Sequence, residues 1–215
     1  MNAFKAAIFD LDGVICFTDE YHYQAWKRIA DEVHIPFDRE INNRLRGVSR
    51  MASLEIILEK NPGEPFSEAE KVSLATDKNE IYKQLLAQMT EKDLSDEVKQ
   101  TLEVLRSNGV KLAIGSSSKN APLILSRIGL GDFFDAVSDG NNITHSKPHP
   151  EVFQKAAQML GMDPRDCLVV EDAVSGAEAG HAAGMKVACV GDAAEHGAGD
   201  WNLEAFGQLQ NVVLG

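Results

Sequence analysis

The chain has 215 residues, 44% hydrophobic and 25% charged, a globular composition long enough to bury a core without disulfide or metal staples. Its formal net charge of -12 excludes a nucleic-acid-binding surface, because phosphate backbones are bound by basic patches, and requires any anionic ligand to be caught in a small, locally basic pocket. Cys16, Cys167 and Cys189 match neither a CxxC pair nor a metal spacing and read as buried free thiols. With no leader-like segment and no apolar run long enough to span a bilayer, the chain reads as soluble and cytoplasmic, with no membrane partner.

In chain order, the apolar run Ala6-Ala7-Ile8-Phe9 predicts a buried strand that delivers Asp10-Leu11-Asp12-Gly13-Val14 at its end. A long stretch, roughly Thr18 to Met89, follows with helical spacing and almost no strand-like alternation. Glu20 to Val33 carries Tyr23, Trp26, Ile29, Ala30 and Val33 at helical intervals, and Pro36 breaks the pattern. Asn61-Pro62-Gly63-Glu64-Pro65 marks a loop before a helix over Glu68 to Met89. The next helix spans Asp96 to Ser107 and stops at Asn108-Gly109, a helix C-terminal signal. Strand-like runs then recur at Val110 to Gly115, Asp135 to Val137, Cys167 to Val170 and Lys186 to Val190, with helical patterns between them. That alternation predicts an α/β fold, a parallel sheet flanked by helices. The domains expected are a catalytic core of residues 1–17 and 90–215 and an all-helical insertion of residues 18–89. Gly191 to Gly199 reads as a flexible loop, followed by a final helix and a short strand at Val212-Val213-Leu214.

Ligands of open parallel sheets bind beyond the carboxyl ends of the strands, so residues just after strands carry extra weight. Four such segments have complementary chemistry. Asp10 and Asp12 offer a nucleophile toward phosphorus and a proton shuttle. Ser116-Ser117-Ser118-Lys119-Asn120 offers hydroxyls and backbone donors running into a helix N-terminus, an anion site. Ser146-Lys147-Pro148-His149-Pro150 holds one lysine between rigid residues. Glu171-Asp172 offers oxygen ligands to a hard cation such as Mg2+. Each has an ordinary reading by itself: a solvated turn, a Ser-rich turn with an Asn cap, a surface lysine, an acidic helix cap. Their joint occurrence at strand ends points to phosphoryl transfer, in which positioning and charge compensation do most of the catalysis.

These residues, in this order, resemble the haloacid dehalogenase-like superfamily along essentially the whole chain. The resemblance implies a Rossmann-like core with a mobile helical cap inserted after the first strand. It also implies Asp10 as nucleophile and Asp12 as general acid and base, with Ser116 and Lys147 on the phosphoryl oxygens. Mg2+ would sit on Asp10, the Asp12 main-chain carbonyl and Glu171 or Asp172. Asp12 disfavours a dehalogenase, which does not need the second acid. Within the superfamily, the set looks like the β-phosphoglucomutases. It comprises Thr18, His22 and Trp26 at intervals of four, the basic glycine-centred loop Leu45-Arg46-Gly47-Val48-Ser49-Arg50, Lys78-Asn79 on a later helix, and the phosphate loop from Ser116. Such an enzyme interconverts β-D-glucose 1-phosphate and glucose 6-phosphate through the 1,6-bisphosphate. It therefore needs a second anion grip, for which Arg50, Ser118, Lys119 and Asn120 are the candidates. His22 would tune or orient Asp12; Trp26 is at least as well explained by core packing.

The chain departs from that pattern at the cap linkers. Phe17, beside Cys16, stands where members carry an Asp ahead of the counterpart of Thr18, and Ser95-Asp96 replaces the usual Pro-Gly. These changes bear on cap motion and sugar selection rather than on phosphoryl chemistry. His34, His145, His149, His181 and His196 fit no recognised metal spacing and read as bystanders. The competing readings are a sugar-phosphate phosphatase of the same superfamily, a phosphonatase using Lys78, and an idle phosphosugar-binding protein. A monomer is expected.

Overall fold

A computed structural model describes residues 2–215. The strands are β1 (Ala6–Phe9), β2 (Lys111–Gly115), β3 (Ala136–Ser138), β4 (Cys167–Glu171), β5 (Lys186–Cys189) and β6 (Trp201–Asn202). All pair in parallel, in the order β3-β2-β1-β4-β5-β6. The sheet order reverses between β1 and β4, and this is the place where a doubly wound sheet opens a crevice for ligand.

Alternation along each strand divides the core into two layers. Ala7, Phe9, Leu112, Ile114, Leu168 and Val170 pack on one face. That face is covered by α5 (Asp96–Ser107), α6 (Ala121–Arg127) and α10 (Leu209–Leu214), which contribute Leu102, Leu105, Ile124, Leu125, Leu209 and Val213. Ala6, Ile8, Ala113, Val169 and Val187 point the other way, toward α7 (Glu151–Leu160), α8 (Val174–Ala182) and α9 (Gly191–Glu195). Strands buried on both faces are continuous apolar runs, which is why they stand out in the sequence.

Between β1 and α5 lie α1 (Asp19–Glu32), α2 (Arg39–Asn43), α3 (Arg50–Leu58) and α4 (Glu68–Leu86). They enclose an apolar cluster of their own that includes Trp26, Ile29, Ile41, Leu54, Ile57 and Ala75. The entry into α4 is a capping box: the Ser67 hydroxyl accepts from the Glu70 N–H, and the Glu70 carboxylate accepts from the Ser67 N–H. The lower end of α4 leaves this cluster, and Tyr82, Leu85 and Leu86 join the core beneath the sheet. α4 thus ties the insertion to the body of the protein.

Two expectations fail near the C-terminus. Val212-Val213-Leu214 is the end of α10, not a strand. Leu209 and Val213 are one helical turn apart and both fully buried, and that tertiary packing overrides the β-branched propensity. The Val213 carbonyl accepts from the N–H groups of Ala3 and Phe4, at 2.9 and 3.2 Å. The first half of the expected Gly191–Gly199 loop is α9, and a two-residue strand, β6, follows it. Trp201 of β6 meets Phe4 edge-on at 5.7 Å. Cys16, Cys167 and Cys189 are free and buried, and among the described residues no helix is long and apolar enough to cross a membrane.

Gly115, at the end of β2, is flush with the Phe153 ring, and a Cβ there would stand 2.8 Å from ring carbons. Gly115→Ala should therefore lower stability by about 1–3 kcal/mol through overpacking, read as a reduced urea midpoint with an unchanged slope.

Candidate active site

The crevice between β1 and β4 is where the acidic residues converge. The Asp10 N–H donates to the Val170 carbonyl at 2.9 Å, which fixes the first residue after β1 against the end of β4. Lys147 is 2% exposed, and its ammonium donates to Asp10 Oδ1 and, at 2.5 Å, to Glu171 Oε1. The other Glu171 oxygen accepts from the N–H groups of Asp172 and Ala173, at 2.9 and 3.0 Å. Both Glu171 oxygens thus accept hydrogen bonds, and one of them holds the Lys147 ammonium. Asp172 has looser company, with Arg46 Nη1 at 3.7 Å. Absent side chains shape this wall. A Cβ on Gly176 would collide with the Glu171 carboxylate, and one on Gly13, whose φ is +92°, would collide with that of Asp172.

Charge is unbalanced here. Burial raises the Asp10 carboxyl well above the usual range, against the pull of Lys147, and Glu171, Asp172 and Asp12 add to the rise. Asp172 is pushed up to about 7 by burial and by Glu171. Burial works against the charge on Lys147, but Asp10 and Glu171 hold the ammonium protonated. A cluster whose carboxylates outnumber its one buried ammonium fits a hard divalent cation with oxygen ligands, and Asp10, Asp172 and the Asp12 carbonyl are the groups available for it.

Asp12 lies on the turn after β1, where the Gly13 N–H donates to the Cys16 carbonyl at 2.7 Å. Its carboxylate accepts from the Thr18 hydroxyl, the residue at the start of α1. Burial raises the Asp12 carboxyl, and that hydroxyl works against the rise. Four side chains from the insertion group together nearby. His22 Nδ1 lies 2.9 Å from Lys78 Nζ, the His22 ring stacks on Tyr82 at 4.1 Å, and Lys78 lies 5.0 Å from the centre of the Trp26 ring. Burial, with Lys78 and Arg50, holds His22 neutral, and burial draws Lys78 down to about 7. Trp26 belongs to the apolar cluster of the insertion and also lines the cavity.

Beyond β2 the phosphate-loop residues are in place. The buried Ser116 hydroxyl accepts from the Ser118 N–H at 3.1 Å, and the Ser118 hydroxyl accepts from the Asn120 N–H at 3.2 Å. From this loop two contacts reach the insertion: Asn120 Nδ2 donates to Asn79 Oδ1 at 2.9 Å, and the Ser117 hydroxyl donates to the Gly47 carbonyl at 3.4 Å. Arg50 begins α3 half-buried, and Ser49 caps that helix through the Ala52 N–H at 3.3 Å.

A single cavity of about 710 Å3 runs between these groups. Asp10, Asp12, Thr18, His22, Trp26, Gly47, Val48, Arg50, Lys78, Ser116, Ser117, Ser118, Lys119, Asn120, Glu171 and Asp172 all line it. Lys147 lies behind the wall, joined to it through Asp10 and Glu171. Sequence reasoning missed Arg46, which bridges Asp172 and Asp19 at 3.7 Å each and leaves a buried Nε without a partner. Its place in the glycine-centred loop beside Arg50 was the available signal. Phe17, 75% exposed, and the exposed Met51 and Val72 form an apolar rim to the same cavity.

The haloacid dehalogenase-like hydrolase family matches residues 4–184, and the chain belongs to that family. It is 45% identical to a β-phosphoglucomutase of Bacillus subtilis over 188 residues, covering 87% of this chain and 83% of that one. The solved β-phosphoglucomutase of Clostridium difficile superposes with a TM-score of 0.89 at 38% identity, over 96% of this chain and 93% of the other. The fructose-1-phosphate phosphatase YqaB of Escherichia coli is 31% identical over 85% of this chain and 94% of its own length.

Lys78 supplies a pH test. Its folded value near 7 lies below the ordinary 10.5, so between these values the unfolded chain binds the extra proton. Stability should therefore rise with pH across that interval, with the burial penalty fully present below about 7. Lys78→Met abolishes the titration. Urea midpoints should shift in favour of the wild type, relative to the variant, as pH rises from about 7 to about 9; parallel pH profiles would refute the assignment.

Proposed function

We propose that this protein is a β-phosphoglucomutase, interconverting β-D-glucose 1-phosphate and glucose 6-phosphate through an aspartyl-phosphate enzyme and the 1,6-bisphosphate. The observation that carries the reading is one cavity onto which both the acidic cluster at Asp10 and the basic and amide groups Arg50, Lys119 and Asn120 open. In this reading Asp10 and Ser116, with Lys147 behind them, serve the transferring phosphate, and Arg50, Ser118, Lys119 and Asn120 the non-reacting one. The 45% identity to the Bacillus subtilis mutase supports it.

In the first half-reaction an Asp10 oxygen attacks the phosphorus of the bisphosphate, the bond from phosphorus to the sugar oxygen breaks, and Asp12 delivers a proton to that oxygen. In the second, Asp12 takes the proton from the other sugar hydroxyl, which attacks the aspartyl-phosphate and frees Asp10. A raised carboxyl suits Asp12 to both directions. Lys147 and Ser116 offset the charge that develops on the phosphoryl oxygens. Mg2+ held by Asp10, Asp172 and the Asp12 carbonyl would add the remaining compensation. Lys78, adjoining His22 and depleted of charge by burial, orients the sugar near Asp12 without competing for phosphate.

Residues 18–89 act as the cap and residues 1–17 and 90–215 as the catalytic body. The insertion's own apolar cluster supports a cap that opens while the bisphosphate turns over. In this reading the enzyme acts as a monomer on a cytoplasmic phosphosugar. The phosphatase reading keeps the same first step and lets water take the phosphoryl group. The likeness to the fructose-1-phosphate phosphatase favours it, but it leaves the distal basic residues without a purpose.

Incubation with β-glucose 1-phosphate, Mg2+ and a trace of bisphosphate should yield glucose 6-phosphate with little free phosphate; the reverse outcome would establish the phosphatase. Asp10→Asn should abolish both products. Arg50→Ala should lower kcat/KM about 10- to 100-fold, the worth of hydrogen bonds to a charged group, while leaving hydrolysis of a simple monophosphate ester nearly unchanged.

A further inference from the structure

The loop that carries Lys147 has a second set of ligand-type side chains on its outer side, facing away from the cavity. His145, His149 and Glu151 each place one potential ligand atom within 4.8 Å of the other two. The imidazoles of His145 and His149 lie with centroids 4.6 Å apart, tilted by 32°. Glu151 is fixed rather than mobile. Its Oε2 accepts from the His145 N–H at 2.8 Å and lies 3.1 Å from His145 Nδ1; its Oε1 accepts from the Thr144 N–H and from Lys155, both at 3.0 Å. The Glu151 N–H in turn donates to His149 Nδ1 at 3.3 Å. Lys155 therefore occupies one carboxylate oxygen and leaves the other facing the imidazoles.

The donor set differs in kind from that at the cavity. Two imidazoles and one carboxylate suit a borderline cation such as Zn2+, in a site that keeps at least one position for water, whereas Mg2+ prefers an all-oxygen shell. Both histidines are exposed, with His145 at 63% of its side chain, so small rotations bring the ring nitrogens to bonding distance without disturbing the core. Pro148 and Pro150 limit the freedom of the intervening backbone. A shallow depression lined by Thr144 to Pro150 gives solvent access.

We propose that His145, His149 and Glu151 form a second metal site, selective for Zn2+ or a cation of like character, that clamps the loop presenting Lys147. Lys147 lies between the two histidine ligands in sequence, so an ion joining them closes a short ring around it and restrains the backbone that aims its ammonium at Asp10 and Glu171.

Calorimetric titration of the full-length protein with Zn2+, in saturating Mg2+ to fill the carboxylate site, tests this directly and independently of which phosphoryl reaction the enzyme runs. One equivalent should bind, and Co2+ in its place should give the visible absorption of nitrogen and oxygen ligation. His145→Ala and His149→Ala should each weaken binding about tenfold or more, at least the effect of disturbing an outer partner of a metal ligand. The double variant should lose binding and also the Zn2+-dependent rise in Tm, while its Tm without Zn2+ matches the wild type. No binding to the wild type, or equal binding to the double variant, would overturn the proposal. Should either alanine variant fold poorly, His145→Gln and His149→Gln carry the same expectation.

Discussion

The buried ion pairs that Lys147 makes with Asp10 and Glu171 hold the rest of the site in place. An isolated ammonium at that depth would be costly, and so would either carboxylate alone, so each is tolerated because the others are present. Glu171 ends β4, Asp10 follows β1, and Lys147 arrives on the loop before α7; one ammonium therefore joins three crossings of the sheet at the point where strand order reverses. The fold supplies the crevice, and this charge cluster turns it into a place where an anion and a hard cation can meet.

The cap builds outward from that cluster. Thr18 begins α1 and already touches Asp12, so the first residue of the insertion senses the second acid of the motif. His22, one turn on, hands the contact to Lys78 on α4, whose lower end is anchored in the body of the protein through Tyr82 and Leu86. The position of α1 and the environment of Asp12 are thus coupled by direct contact. A displaced α1 would take the hydroxyl away from Asp12 and let water reach it, so the setting of this second acid depends on where the insertion lies.

Much of this was legible in the amino-acid order because the signals were unambiguous. Buried parallel strands are apolar throughout, so β1, β2, β4 and β5 announce themselves, and the residues after them inherit a functional position. β6 is too short to carry a period, and α10 was misread because Val212 and Val213 favour strands until Leu209 and Val213 find a buried face together. Chemistry at the site was legible by type but not always by role. Glu171 and Asp172 are adjacent carboxylates in sequence, and only geometry shows that the first grips Lys147 while the second faces the Arg46 guanidinium. Arg46 was legible only as a member of the basic loop, and the fold sets its guanidinium against Asp172.

The glycines of the site have a consequence for how such a protein can diversify. Gly13 and Gly176 lie directly against the Asp172 and Glu171 carboxylates, and Gly47 lies against the Ser175 hydroxyl, so the catalytic wall has no room for an added methyl group. Phe17, Met51 and Val72 stand in water at the mouth of the same cavity and bear little of the structure. Descendants of this sequence can therefore exchange the rim freely while the wall stays as it is. New sugar preferences should arise from the cap side of the cleft, with phosphoryl transfer inherited unaltered beneath them.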